Sequence, residues 1–302
     1  LQAGHTYALR GLSHEVQDGD LLAQSDATLL FLQRAGGLIT LSDEPFITQI
    51  SELLAGLPLG IEMAARLTEY MTCKEIAREL EGGNYDLLDS DHSDRPARHR
   101  TLRAVMGETW EALGPRAQEL LAKLAVFSGA FSRQDALSVA GAHLKDLRRL
   151  VDWAVVGHQR EERLVVHPVA RWFALEQLAN RPNGKRLLKR VHALASRSIL
   201  ERTSTTQLQR PEELTEWLNA LEHLMLAEQH DAACNHLLSF YKRMIDWGKG
   251  ETVARLHRSL LPHLSGPETR ALSIVSIGLA AQHLGRQAEA KDAFEEALNH
   301  SR

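Results

Sequence analysis

The sequence predicts a mainly α-helical protein in three parts: a helical region, a compact helix-plus-hairpin unit, and a run of helical pairs. Three observations predict it. Apolar residues recur with the helical period: Leu214, Trp217, Leu218, Leu221, Leu224 and Met225 fall at i, i+3, i+4, i+7, i+10 and i+11 on one stripe. Leucine and alanine are abundant, while alternating runs rich in valine and isoleucine are scarce. Glycine, proline and asparagine punctuate the helical blocks.

The elements follow in order. Tyr7–Leu12 is a strand candidate. Glu44 to Leu67 is helical except at Gly56-Leu57-Pro58, where proline lacks the N–H and clashes with the preceding turn. Gly82-Gly83-Asn84 ends that block, and the polar stretch Asp89–Arg95 reads as a surface loop from which Pro96 launches a helix through Trp110. After Gly114-Pro115, the stripe of Leu120, Leu121, Leu124 and Phe127 predicts a helix over about 117–127. A further helix over His143–Ala154 is expected to bury Leu144, Leu147, Leu150, Val151 and Ala154. Val155-Val156 and Leu164-Val165-Val166 form hairpin arms around a polar turn, Gly157–Arg163. Arg181-Pro182-Asn183-Gly184 is the clearest linker, and Gln209-Arg210-Pro211 starts another helix at Glu212.

Composition narrows the class. With 302 residues, 44% of them hydrophobic, the chain can bury two or three cores. Thirty-five basic against 39 acidic side chains leave a net charge of −4, which excludes a strongly cationic nucleic-acid coat but not one local basic patch. Cys73 and Cys234 form no C-x-x-C pair, so neither a disulfide framework nor a zinc ribbon is expected, and a reducing cytoplasm fits. No apolar run reaches the ~18–20 residues of a membrane span, no signal-peptide pattern opens the chain, and no membrane partner is expected. A start at Leu1 and an end inside a helical pattern at Arg302 suggest a piece of something longer.

The last segment carries a repeat signature. Gly278 sits mid-helix, where a small residue admits a second helix, and Gly285 can end that helix. Ala290, Phe294 and Ala297 then share one face. This spacing resembles the tetratricopeptide repeat of roughly 34 residues, with Ile274 standing at its first aromatic position. A more degenerate unit precedes it: Gly248, 37 residues before Gly285, is followed by Val253, His257 and Leu260. A generic helical hairpin is the plain alternative. Stacked hairpins of the repeat kind leave a concave surface for a partner.

A second resemblance spans nearly the whole chain. Ala55-Gly56-Leu57-Pro58-Leu59-Gly60 is followed by Arg98-His99-Arg100-Thr101-Leu102-Arg103-Ala104, then Leu124–Phe131, then Val165-Val166-His167-Pro168. In order and spacing these stretches resemble the signal-transduction ATPases of the STAND class, near the NB-ARC branch found in bacterial transcription activators. Gly56–Leu59 resembles their GLPL motif, Leu124–Phe131 the opening of their winged-helix domain, and His167 the histidine of their MHD motif. Tyr7–Leu12 and Asp26–Arg34 resemble the exit from the nucleotide-binding core. The resemblance implies the tail of that core and a helical GLPL subdomain over residues 1–113, a winged-helix domain over 114–180 and tetratricopeptide-like repeats over 185–302. It implies that Pro58 lies against adenine and His167 faces ADP phosphates in a longer parent.

The departures matter. There is no G-x-x-x-x-G-K-[ST] loop and no apolar strand ending in paired acids, so catalysis and tight binding of ADP, ATP or magnesium are not expected of this chain. Pro168 replaces the acid of the MHD motif. No two of the fifteen histidines stand three or four apart, and the i, i+4 pair His230 and Cys234 lacks evident further ligands, so no metal is expected. Lys145, Arg148 and Arg149 on the 143–154 helix are diluted by Asp146 and Asp152 and are not expected to read DNA. The functional expectation is a regulatory region, with a protein or small-molecule inducer at the repeats and self-association in the parent. Two other readings stand beside it: a DNA-binding winged-helix regulator, and a repeat scaffold with no nucleotide link.

Overall fold

The computed structural model describes residues 12–13, 25–88, 102–159, 162–203 and 214–300. The strand candidate apart from Leu12, the 89–95 loop with Pro96, and the helix start at Gln209–Glu212 lie outside them. The described residues form sixteen α-helices and one two-stranded sheet, a mainly α fold. Two compact units divide the chain, Leu1–Pro182 and Asn183–Arg302, and the division falls within the Arg181–Gly184 stretch.

The first unit opens with α1 (Asp26–Arg34), α2 (Glu44–Leu53), α3 (Pro58–Arg66) and α4 (Cys73–Glu81). Their starts are chemically fixed. The Ser25 hydroxyl accepts from the Thr28 N–H, and Thr72 with Glu75 makes a reciprocal box at α4. Phe31, Ile47, Ile50, Ile61, Ile76 and Leu80 fill the core between them. Next come α5 (Leu102–Leu113), α6 (Pro115–Leu124), α7 (Arg133–Ala140), α8 (Leu144–Asp152), β1 (Val156–His158), β2 (Leu164–Val166) and α9 (Pro168–Ala179).

β1 and β2 pair antiparallel, Val156 opposite Val166 and His158 opposite Leu164, and Phe131 bridges to Leu164 ahead of α7. Gly157 and His158, expected in the turn, belong to β1. A sheet buried on one face tolerates such exposed residues, and only Val156 of β1 is buried. α6 ends at Leu124, short of the expected 127, because the backbone tightens there: the Phe127 N–H reaches the Leu124 carbonyl. The Phe127 ring still joins the apolar side, stacking on Phe131 at 5.3 Å. On α8, Leu147 and Leu150 are buried as expected, but Leu144 and Ala154 are not. Leu144 is the first helical residue and is 66% exposed. Ala154 lies beyond the helix at φ 54°, in the turn that sends the Val155 N–H to the Leu150 carbonyl.

One side chain ties distant parts of this unit together. Arg103 on α5 donates from Nη1 to both Glu176 carboxylate oxygens on α9, at 2.7 and 2.5 Å, and from Nη2 to Asp86. Its guanidinium lies 4.9 Å over the Trp172 ring, which packs at 5.6 Å from Tyr85. The two carboxylates push its pKa further up. Arg103→Ala is expected to lower stability by about 1 kcal/mol, less at high salt because the site is a third exposed. Arg103→Lys should not restore it, since an ammonium cannot span both carboxylates. Urea midpoints at low and high salt check both.

The second unit is α10 (Gly184–Thr203), α11 (Leu214–Leu226), α12 (His230–Leu238), α13 (Tyr241–Asp246), α14 (Gly250–Leu260), α15 (Pro267–His283) and α16 (Gln287–His300). The Leu214 stripe behaves as its period predicts: Leu214, Trp217, Leu221 and Leu224 are buried, with Leu218 and Met225 packed at the edge. Gly248 and Gly285 turn the chain at φ 74° and 75°, between α13 and α14 and between α15 and α16.

Candidate functional site

The sequence points to two places, the Gly56–Pro58 turn with His167, and the hairpins of the second unit. In the first, Ala55 and Gly56 adopt φ 48° and 69° after α2, so the chain reverses instead of kinking within one helix. The Leu12 N–H donates to the Gly56 carbonyl at 2.9 Å, and a Cβ on Gly56 would stand 2.2 Å from the Leu12 carbonyl oxygen. Only glycine meets both demands. Leu57 and Leu59 pack against the core, while Pro58 opens α3 with its ring exposed.

His167 stands one position earlier on its own helix, at the N-cap of α9, so that Pro168 rather than His167 is the counterpart of Pro58. Its N–H donates to the Val155 carbonyl at 3.0 Å and its carbonyl accepts from the Arg171 N–H at 2.8 Å. The half-buried ring caps nothing, and burial pulls its pKa down to about 4, so it is neutral at pH 7. A neutral imidazole offers one donor and one acceptor. The structure places α3 and α9 in one apolar core, through Ile61 and Val169. It makes no ring contact or hydrogen bond between Pro58 and His167 themselves.

The repeat residues do come together. A Cβ on Gly278 would stand 2.7 Å from Phe294 Cε1, so α15 and α16 cross where the glycine lets the ring in. Ala290 and Ala297 are buried beside it, as is Ile274, while Phe294 is half-buried. Tyr241 and His257, each 37 residues earlier, meet edge-on at 6.2 Å between α13 and α14. The same seat is thus filled by a large residue on the first helix and a smaller one on the second. A groove of about 380 Å³ runs between α13 and α15, lined by Lys242, Ile245, Asp246, Leu279, Gln282 and His283.

The sequence missed a polar thread through this unit. The fully buried His257 shares a 2.9 Å hydrogen bond between Nδ1 and the Ser273 hydroxyl, while its Nε2 is buried with no partner. Burial pushes its pKa down to about 4. Ser273 also bonds Cys234, whose thiol burial pushes up to about 11. The available signal was a histidine standing at the position of Phe294 in the earlier unit.

Other candidates fall apart in space or are committed elsewhere. His230 stacks on His263 at 4.6 Å, whereas Cys234 turns to Ser273, and no group of three or more potential metal ligands converges among the described residues. On α8, Arg149 donates to the Leu113 carbonyl at 2.8 Å, and Asp146 bonds the His143 N–H at the helix start, leaving Lys145 and Arg148 as the outward cations.

No protein-family model matches the chain, and no curated protein matches it. Among solved structures, it is similar to a Signal Transduction ATPase with Numerous Domains (STAND) protein with a tetratricopeptide repeat sensor from Pyrococcus horikoshii. That likeness has 18% identity and a TM-score of 0.49, covering 78% of this chain and 33% of the other. The chain therefore spans a third of that protein's length.

Proposed function

We propose that the chain is the regulatory and sensing region of a STAND-class signalling ATPase. In this reading residues 1–113 form the GLPL subdomain with the tail of the nucleotide core, 114–180 a winged-helix domain and 185–302 a tetratricopeptide-like array. The observation that carries it is the placing of the two motif residues: Pro58 is the first residue of α3 and His167 the N-cap of α9, and these two helices share one core. An exposed proline ring suits an adenine face, and a neutral imidazole before a helix N-terminus suits a phosphate oxygen. Helices α6–α8 with the bridged hairpin support the winged-helix assignment, and the Gly278–Phe294 seat supports the repeat assignment. The groove between α13 and α15 is the face offered to an inducer, its Lys242 and Asp246 giving both charges beside an apolar floor of Ile245 and Leu279.

These residues fit the flank of a nucleotide, not the cradle of its phosphates. A phosphate loop supplies that cradle through its backbone N–H groups and lysine. The chain alone is therefore expected to show no saturable ADP or ATP binding at micromolar concentration by calorimetry, and micromolar affinity would overturn this. Joined to a phosphate-loop domain, it should retain ADP. Release should then accelerate roughly tenfold on His167→Ala, as befits one lost hydrogen bond to a charged group. Unchanged release would remove the nucleotide link and leave the scaffold reading.

A further inference from the structure

We infer that the solvent face of α10 is a docking surface for the phosphate backbone of a duplex nucleic acid. Up to Leu200 this helix carries five cations, Lys185, Arg186, Lys189, Arg190 and Arg197; its one acid, Glu201, follows a turn after Arg197, beside an Arg202 that is itself bound to Glu216. Lys189 is paired with Glu228 at 2.6 Å. The other four are exposed and make no ion pair among the described residues. Arg186, Arg190 and Arg197 are spaced by four and seven residues, which places them on one stripe about 16 Å long. The opposite face is fixed inward by Val191, Ala195 and Ile199, so the stripe cannot turn into the unit.

The arrangement works against the helix that carries it. Four cations occupy the first two turns, where the macrodipole favours anions, and no acid stands in the first turn. Glu228 offsets Lys189, and the repulsion among the other cations is relieved by an external anion. α8 is the contrast within the same chain, with Asp146 and Asp152 interleaved and Arg149 tied to a carbonyl.

Charge and the lack of anchors choose the occupant. No large apolar side chain of α10 is exposed. A protein interface centres on buried aromatic or aliphatic anchors, and an interfacial membrane helix inserts such residues. A straight line of arginines with neither suits a regular polyanion, and duplex DNA carries one charge per ~1.7 Å of axis. Guanidinium groups suit phosphate oxygens. Contacts of this kind carry no base readout.

The test is fluorescence anisotropy on the full chain with a random-sequence duplex of about 24 base pairs, from about 50 to 200 mM salt. The expected result is micromolar binding at the lowest salt, equal for two unrelated sequences, with a log–log salt slope of about −3 to −4. The triple variant Arg186→Gln, Arg190→Gln, Arg197→Gln should weaken binding at least roughly tenfold, while Arg148→Ala on α8 leaves it unchanged. Arg190→Gln alone should reduce the slope by about 1, which keeps the test available should the triple variant fail to fold. Absence of binding at low salt, undiminished binding by the variants, or tighter binding to poly-glutamate or phosphatidylserine vesicles than to the duplex would each overturn the proposal.

Discussion

Gly278→Val is expected to destabilise the α15–α16 hairpin by about 3 kcal/mol, and Phe294→Ala to restore part of that loss in the double variant. The added side chain collides with a ring edge already 2.7 Å from where its Cβ must stand. Mid-helix backbone cannot retreat, so the helices part or the ring leaves its rotamer. Phe294→Ala alone should cost about 2 kcal/mol, below the 3–5 of a fully enclosed ring, because Phe294 is half-buried. Urea unfolding of the four proteins gives the cycle. Hydrogen exchange gives its reach. Nearest-neighbour stability confines lost protection to residues from about 265 onward, whereas uniform loss from residue 114 onward would show one cooperative core.

Acid is expected to weaken the second unit through His257. Its pKa in the folded chain, about 4, lies below the unfolded value near 6.5, so the unfolded chain takes the proton first. Its contribution is fully present above pH 6.5, falls as pH drops from 6.5 to 4, and is flat below. The integrated loss is about 3 kcal/mol, an order-of-magnitude figure for a wholly buried ring. His257→Gln keeps a polar partner near Ser273 but has no proton to gain. The stability difference between wild type and variant should therefore favour wild type most at pH 7 and shift toward the variant by pH 4. A pH-independent difference would mean that His257 is not the titrating group. Groups common to the wild type and the variant cancel in the comparison.

What could be read in advance was what neighbours in sequence decide. The Leu214 stripe, the Gly278, Gly285 and Phe294 spacing and the break at Gly56–Pro58 are set within a turn or two of backbone, and all have the predicted form. Leu144 and Ala154 misled because periodicity gives a face but not its ends: one residue opens α8 and the other has already left it. The unforeseen features join distant segments. Arg103 and Glu176 are 73 residues apart, Leu12 and Gly56 meet through backbone atoms 44 positions apart in sequence, and His257 finds Ser273 only when α14 lies on α15. For the candidate site, residue types were legible. That Pro58 and His167 both stand at helix starts resting on one core was not.

The two glycine-turned hairpins differ in one respect that bears on assembly during synthesis. Repetitive chains risk joining the wrong halves, since each first helix meets several similar second helices while folding. Here the halves are not exchangeable. Laid on α13, α16 would drive Phe294 against the Tyr241 ring; laid on α15 in that role, α14 would set His257 opposite the bare backbone of Gly278 and leave a void. Mismatched partners are thus penalised by overlap in one direction and by emptiness in the other. The order of the hairpins is written into the size of a single seat, which makes wrong pairings short-lived without any added charge or loop to forbid them.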